Sequence, residues 1–335
     1  MSAPVVDLPR FRLFDEPSPL SPLPGFSAAL DHGVEVWVKR EDLLPLAFGG
    51  NKLRNLEFLV GAALAEGADT LVTSGRRWSN HCRLTAAAGA KAGLAVELVL
   101  SGPPADPPGP GVGLMEALGA VVHRLPTADR APREAEVERV ADAVRARGRQ
   151  PFVIGVGGSG VLGAYGQYLA GLEALGQAEA ASMTAPFDAI VVPSATGGTQ
   201  AGLIAACARH SPATRVAGMV VSRSAAELRP AIAGMVRDLG PMIARDSTRA
   251  DASTRAAVDI DLDESPLGTG YGRATLAAAE AAEVLARSEG ILVDPIYTAK
   301  ALAGLLAKVR AGAWDGQRIL FWHAGGLPGI FEPLD

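Results

Sequence analysis

Along this chain short apolar runs alternate with stretches in which apolar residues recur every three or four positions. The first pattern predicts buried strands and the second amphipathic helices. Val34–Lys39 reads as a strand, and Asn51–Glu66 as a helix with Leu53, Leu56, Leu59 and Val60 on its inner face. A strand at Thr70–Thr73, an alanine-rich helix at Asn80–Ala92 and a strand at Ala95–Leu100 follow. Ser101–Gly113, rich in Pro and Gly, reads as a loop. Beyond it come a short helix at Leu114–Leu118, a strand at Val121–Leu125, a charged helix at Pro132–Arg147 stopped by Gly148, and a strand at Phe152–Ile154.

The second half repeats the alternation. Helices are expected at Gly163–Leu175, Ala201–His210, Ser224–Leu239, Thr275–Ser288 and Thr298–Val309. Strands are expected at Ala189–Val192, Val216–Val221 and Arg318–Trp322. Gly176–Pro186 reads as a loop or a helix extension, and Arg245–Asp261 has no clear period. Strand–helix alternation of this kind implies βαβ units. The expected fold class is α/β, with open, twisted, mostly parallel sheets flanked by helices. No repeat of 20–50 residues marks a solenoid or propeller.

Composition sharpens this picture. Hydrophobic residues make up 48% of the 335 positions but aromatics only 5%, so the core must be built from Ala, Val and Leu. The net charge is −5 and no basic run is present, which argues against nucleic acid as a partner. Two cysteines, Cys82 and Cys207, are too few for a disulfide scaffold and have no metal-site spacing. No signal peptide or membrane span is read, so the expectation is a cytoplasmic protein.

Two segments carry chemistry. In Gly49-Gly50-Asn51-Lys52 a lysine opens a helix, where the backbone dipole disfavours an ammonium. A neutral or imine-linked lysine suits that place, although a solvated lysine is the ordinary alternative. In Ser194-Ala195-Thr196-Gly197-Gly198-Thr199-Gln200-Ala201-Gly202 a strand runs through a glycine turn into a helix, which makes an anion site or a plain turn. One element suits an aldehyde and the other a phosphate. Pyridoxal phosphate has both groups. Two features leave other readings open. Gly155–Gly160 spells a G-x-G-x-x-G string, compatible with a nicotinamide-dependent oxidoreductase. Ser79-Asn80 caps a helix behind Arg76-Arg77-Trp78, where the arginines are either substrate contacts or solvated.

Six ordered motifs then carry a resemblance: Gly49–Lys52, Ser79-Asn80-His81, Ser194–Gly202, Gly270-Tyr271-Gly272, Asp294–Lys300 and His323–Gly326. The chain resembles the 1-aminocyclopropane-1-carboxylate deaminase/D-cysteine desulfhydrase family of fold type II pyridoxal-phosphate enzymes. The resemblance implies a large cofactor-binding domain (residues 1–54 and 166–335), an inserted small domain (55–165) and a homodimer. It implies a lyase or deaminase acting on a small amino-acid substrate. Lys52 matches the lysine that carries the cofactor, Asn80 the residue at the ring hydroxyl, and Thr196, Gly197, Gly198, Thr199 and Gln200 the phosphate cup. Ser79, Tyr271 and Tyr297 match catalytic positions. Ser79, Asn80 and His81, with Trp78 and Arg77 beside them, are the expected substrate contacts.

Thr298 stands where the deaminases place a Glu facing the pyridine nitrogen. A carboxylate there would favour a protonated ring and a strong electron sink. Thr298 leaves the nitrogen largely neutral, which leans toward β-elimination. Ring opening, or a lyase reaction on an anionic or unusual amino acid, are the alternatives, as is a cofactor-binding protein without turnover. Four departures stand out. Asn55 replaces a lysine near the phosphate, and Ala324 replaces a threonine of the desulfhydrases. Gly111-Val112 replaces a Gly-Asn pair. Arg76-Arg77-Trp78 replaces a neutral run, opening the site to larger or more anionic substrates than cysteine.

Overall fold

The computed structural model describes residues 8–102, 109–181, 183, 187–244 and 259–333. Within them the strands are β1 (Leu20–Pro22), β2 (Glu35–Arg40), β3 (Thr70–Arg76), β4 (Ala95–Ser101), β5 (Val121–Leu125), β6 (Pro151–Val153), β7 (Ala189–Ser194), β8 (Arg215–Val220), β9 (Asp261–Asp263) and β10 (Arg318–His323). The helices are α1 (Pro24–Leu30), α2 (Lys52–Ala65), α3 (Asn80–Ala92), α4 (Pro110–Ala117), α5 (Arg130–Ala146), α6 (Val161–Ala180), α7 (Gly198–His210), α8 (Ala225–Ala244), α9 (Leu276–Glu289) and α10 (Thr298–Arg310). One sheet has the order β1-β2-β10-β7-β8-β9, and the other β5-β4-β3-β6. Among the described residues only the β1–β2 pair is antiparallel. The expected α/β class with mostly parallel sheets is the fold observed.

Central strands β3 and β7 are buried along almost their whole length, as parallel strands covered on both faces must be. Their residues are small and apolar enough to accept helices on each side. One face of the larger sheet packs on α1, α9 and α10 through Phe26, Leu302, Leu305 and Phe321. The other packs on α6, α7 and α8 through Ile190, Val192, Leu203 and Ile232. Leu53, Leu56, Leu71, Leu84 and Leu98 join α2 and α3 to the smaller sheet. The large alanine content thus serves close helix–sheet packing.

Several boundaries differ from the sequence expectation. β1 and α1 were not foreseen, because Pro19, Pro22 and Pro24 mask a short edge strand and a helix that starts on its proline. The loop expected at Ser101–Gly113 ends early, since α4 begins at Pro110 with Pro in the first turn. Residues 103–108 lie outside the described residues. α6 continues to Ala180, the helix extension being the alternative realised in the segment read as a loop or a helix extension, of which residues 182 and 184–186 are outside the description. Residues 245–258 are outside it too, and β9 follows them unannounced. Among the described residues no helix is long and apolar enough to cross a membrane.

Candidate active site

A cavity of about 240 Å³ opens between the two sheets. At roughly 10–15 Å³ per water it has room for a cofactor and a small amino acid together. Its walls come from the carboxyl ends of parallel strands, where α/β sheets place their ligands. Arg76 ends β3 and Ser79 follows it, Val156 and Gly157 follow β6, Thr196 to Gln200 follow β7, Ser222 and Arg223 follow β8, and Ala324 and Gly325 follow β10.

Lys52 enters from the start of α2. The chain reaches it through five successive residues with left-handed backbone, Leu46 (φ 83°), Ala47 (47°), Phe48 (66°), Gly49 (64°) and Gly50 (131°). At Gly49 this is obligatory, since a Cβ would stand 2.2 Å from the Asp42 carbonyl oxygen. The run is held by Arg83, which donates to the carbonyls of Ala47 and Gly49 and to Asn80 Oδ1. Lys52 Nζ makes no hydrogen bond or ion pair with a described residue. The other lysines all do. Lys39 binds Glu173, Lys91 the Leu13 carbonyl, Lys300 the carbonyls of Leu267 and Gly270, and Lys308 Asp263. Burial without a counter-charge pulls the Lys52 amine down to about 8. At pH 7 about one such amine in ten is then neutral, against fewer than about one in a thousand at the ordinary value.

The glycine turn forms an anion cup. Gly197 is left-handed (φ 84°), and the first intrahelical bond of α7 runs from Ala201 N to Gly197 O. The N–H groups of Gly198, Thr199 and Gln200 therefore precede that ladder and point out of the helix start. Asn51 Nδ2 donates to Thr199 Oγ1 at 2.9 Å, joining this cup to the lysine turn. The second glycine string folds against the first, with Ser159 Oγ hydrogen-bonded to Thr196 Oγ1. Its G-x-G-x-x-G pattern thus completes the same cup. Gln200 contributes backbone only, because its side-chain amide is spent on the carbonyls of Asp261 and Val216.

A second set of free helix-start N–H groups lies at α3. Ser79 caps it, its Oγ accepting from Cys82 N at 3.2 Å, which leaves the N–H groups of Asn80 and His81 for a ligand. Asn80 Oδ1 is held by Arg83, so its amide nitrogen is the group left to donate. Thr73 Oγ1 donates to the Ile154 carbonyl, so His81 Nε2 must donate to Thr73 and Nδ1 is bare. Burial, and then the Lys52 charge, drive this imidazole down to about 3, keeping it neutral. Tyr271 and Tyr297 share a hydroxyl–hydroxyl bond, and burial raises both, so they stay protonated.

Three expected residues do not line the cavity. β3 extends to Arg76, and the chain turns at Arg77. Arg76 faces the cavity. Arg77 instead donates to the Pro333 carbonyl at 2.7 Å and lies 4.3 Å from the Trp78 ring centroid. Trp78 packs behind the site, and its indole N–H donates to Tyr271 Oη at 3.2 Å. Thr298 is fully buried, with its hydroxyl on Asp294, whose carboxylate also accepts from the N–H groups of Ile296, Tyr297 and Thr298. Tyr297 is the residue of that turn that reaches the cavity. Sequence reading missed Arg133, Arg223 and Ser222, which also line it. Nothing in their local sequence separates them from surface residues.

The arrangement fits an aldehyde with a phosphate: an unpaired, partly neutral lysine amine shares one cavity with a helix-start anion cup. Comparison with known proteins agrees. The family profile for pyridoxal-phosphate dependent enzymes matches residues 12–325. D-cysteine desulfhydrases of Salmonella typhi and Salmonella newport are each 38% identical over 96% of this chain and 95% of their own. The crystal structure of an ACC deaminase homologue superposes with a TM-score of 0.85 at 32% identity, covering 97% of this chain and 94% of that one. The crystal structure of a T.th. threonine deaminase shares the fold at 23% identity and a TM-score of 0.63, covering 92% of each chain. With sequence and fold in accord along nearly the whole chain, the protein belongs to the pyridoxal-phosphate dependent enzymes, within the group that holds the 1-aminocyclopropane-1-carboxylate deaminases and D-cysteine desulfhydrases.

Proposed function

We propose that this pyridoxal-phosphate dependent lyase eliminates the β-substituent of a small amino acid, as a D-cysteine desulfhydrase does, to give a keto acid and ammonia. The single observation that carries this is the Lys52 amine, the one lysine without a partner among the described residues, set between two helix-start anion sites. Lys52, Asn80, Thr196 and the N–H groups of Gly198 to Gln200 would hold the cofactor, which supplies an electron sink at the amino-acid Cα. The N–H groups of Asn80 and His81 with Ser79 would take the substrate carboxylate. Lys52 Nζ would take the Cα proton, a role its depressed basicity suits near neutral pH. The Tyr271–Tyr297 hydroxyl pair can hand a proton to the departing β-group. The domain division at residues 54/55 and 165/166, a cytoplasmic location and a homodimer belong to the same reading.

The test is keto-acid release by the holoenzyme from D- and L-cysteine, 3-chloroalanine and 1-aminocyclopropane-1-carboxylate. Release from the β-substituted amino acids and not from the cyclopropane is expected. The reverse preference would replace elimination by ring opening. A second measurement follows from the lysine. The rate at which apoenzyme captures pyridoxal phosphate should rise with pH and level off above about 8. The amine is reactive only when neutral, so the sign is fixed. A rate still climbing steeply at about pH 10, the ordinary lysine range, would show that Lys52 is not depressed.

A further inference from the structure

Among the described residues the cavity wall holds four cationic side chains, Lys52, Arg76, Arg133 and Arg223, and no Asp or Glu. Arg133 stands on α5, beside the smaller sheet, and Arg223 follows β8 of the larger one, so the two side chains line one cavity from different sheets. They are close enough for Arg223 to disfavour the charge on Arg133, after burial the largest influence on it. Neither hydrogen-bonds or ion-pairs with a described residue, and Arg133 Nε is buried with no acceptor. Glu134 and Glu227 act on these arginines only through space, since Glu134 hydrogen-bonds Arg130 and Glu227 accepts from Ser224. Two like charges held together with an unsatisfied donor are unfavourable unless an anion joins them.

The two anions already assigned have seats of their own. The cofactor phosphate belongs at the start of α7 and the substrate α-carboxylate at the start of α3. With Lys52 engaged by the cofactor, the guanidinium groups are left facing the substrate's far end. Arg76 and Arg133 also sit near enough to act on Tyr271, on the substrate side of the cavity.

Resting on the β-elimination reading, we propose that the preferred substrate is an amino acid whose β-substituent is itself anionic, a sulfonate or phosphate ester, recognised by Arg133 and Arg223. In the sulfonate case Cα loses its proton and the Cβ–S bond breaks with its electron pair on sulfur. Sulfite departs, and water supplies the carbonyl oxygen of the keto acid as ammonia is released. No external oxidant or reductant is needed. The guanidinium pair would stabilise charge gathering on the leaving anion.

The test titrates holoenzyme with 3-sulfoalanine and O-phosphoserine, and with neutral 3-chloroalanine and O-acetylserine, in both configurations. The shift of the cofactor's visible absorbance reads binding, and keto acid reads turnover. Wild type should favour the anionic set by at least about tenfold. Arg133→Met and Arg223→Met should each lower the anionic-to-neutral ratio by about 10- to 100-fold, the range of a charge-assisted contact. Arg133→Lys should restore part of it. A ratio that neither variant moves, or variants that lose only cofactor affinity, would overturn the proposal, the second result assigning the pair to the cofactor phosphate. If no amino acid yields keto acid while the binding ratio still follows the arginines, elimination fails and the anion site stands.

Discussion

Lys52→Ala should abolish keto-acid formation, lowering kcat by at least about 10³-fold, since both covalent attachment and proton transfer are lost. Borohydride treatment, which fixes the cofactor on wild-type enzyme, should leave the variant unlabelled, and peptide mapping of wild type should find the label on Lys52. The fold should persist. The Lys52 side chain bonds to no described residue, and removing an amine whose charge burial already disfavours deprives the core of nothing. Cofactor held without a covalent bond should still be detectable, because the α7 cup is untouched. Label on Lys39 or Lys300 would sink the assignment. Both are buried, yet each already serves as a structural donor.

Arg54→Met should be the most destabilising change near the site. Arg54 lies two residues beyond Lys52 on α2, and its guanidinium reaches Glu41 at 2.8 Å and Glu173 at 2.7 Å. Lys39 closes the cluster at 2.6 Å from Glu173, and Ser18 Oγ donates to Glu41 at 2.6 Å. Removing the arginine leaves Glu41, fully buried, without its cation. A broken buried pair of this kind costs about 3–5 kcal/mol. The melting temperature of the holoenzyme should fall by roughly 10 °C. Adding Glu41→Leu to the variant should recover part of the loss, since the penalty is the orphaned charge rather than the missing contact. Acid should narrow the gap. Glu173 is held below its ordinary value of 4.5, with the Arg54 bond the largest influence opposing burial. Its contribution is present above that value and disappears as pH falls through the folded-state one. An equal gap between wild type and variant at neutral and strongly acidic pH would refute this account.

Much of the site was legible because its parts are local. Each motif sits where a strand ends, and glycine, serine and threonine there have few other reasons to cluster. The features that stayed hidden depend on distance. Arg133 lies in a charged helix and looks like any solvated arginine until the fold sets it on the same cavity as Arg223. Arg76 and Arg77 look alike in sequence, because the turn that begins at Arg77, directly after β3, has no local signal. Gly155–Gly160 was read as a rival dinucleotide motif, since sequence cannot show that it folds onto Thr196. Thr298 was expected at the cofactor ring, but the fourfold claim on Asp294 turns it inward. The Arg54 cluster joins residues more than a hundred positions apart, beyond any periodic signal.

The left-handed run before Lys52 reverses the usual ranking of amino acids. Leu46, Ala47 and Phe48 occupy backbone that disfavours any side chain by about 1–2 kcal/mol each, so here glycine would be the relaxed choice and alanine the strained one. A chain optimised for stability alone would not keep three such residues in succession. Their persistence marks the lysine turn as a place where folding free energy is surrendered to fix one amine in space, with a single guanidinium, Arg83, restraining both this turn and Asn80 at the start of α3.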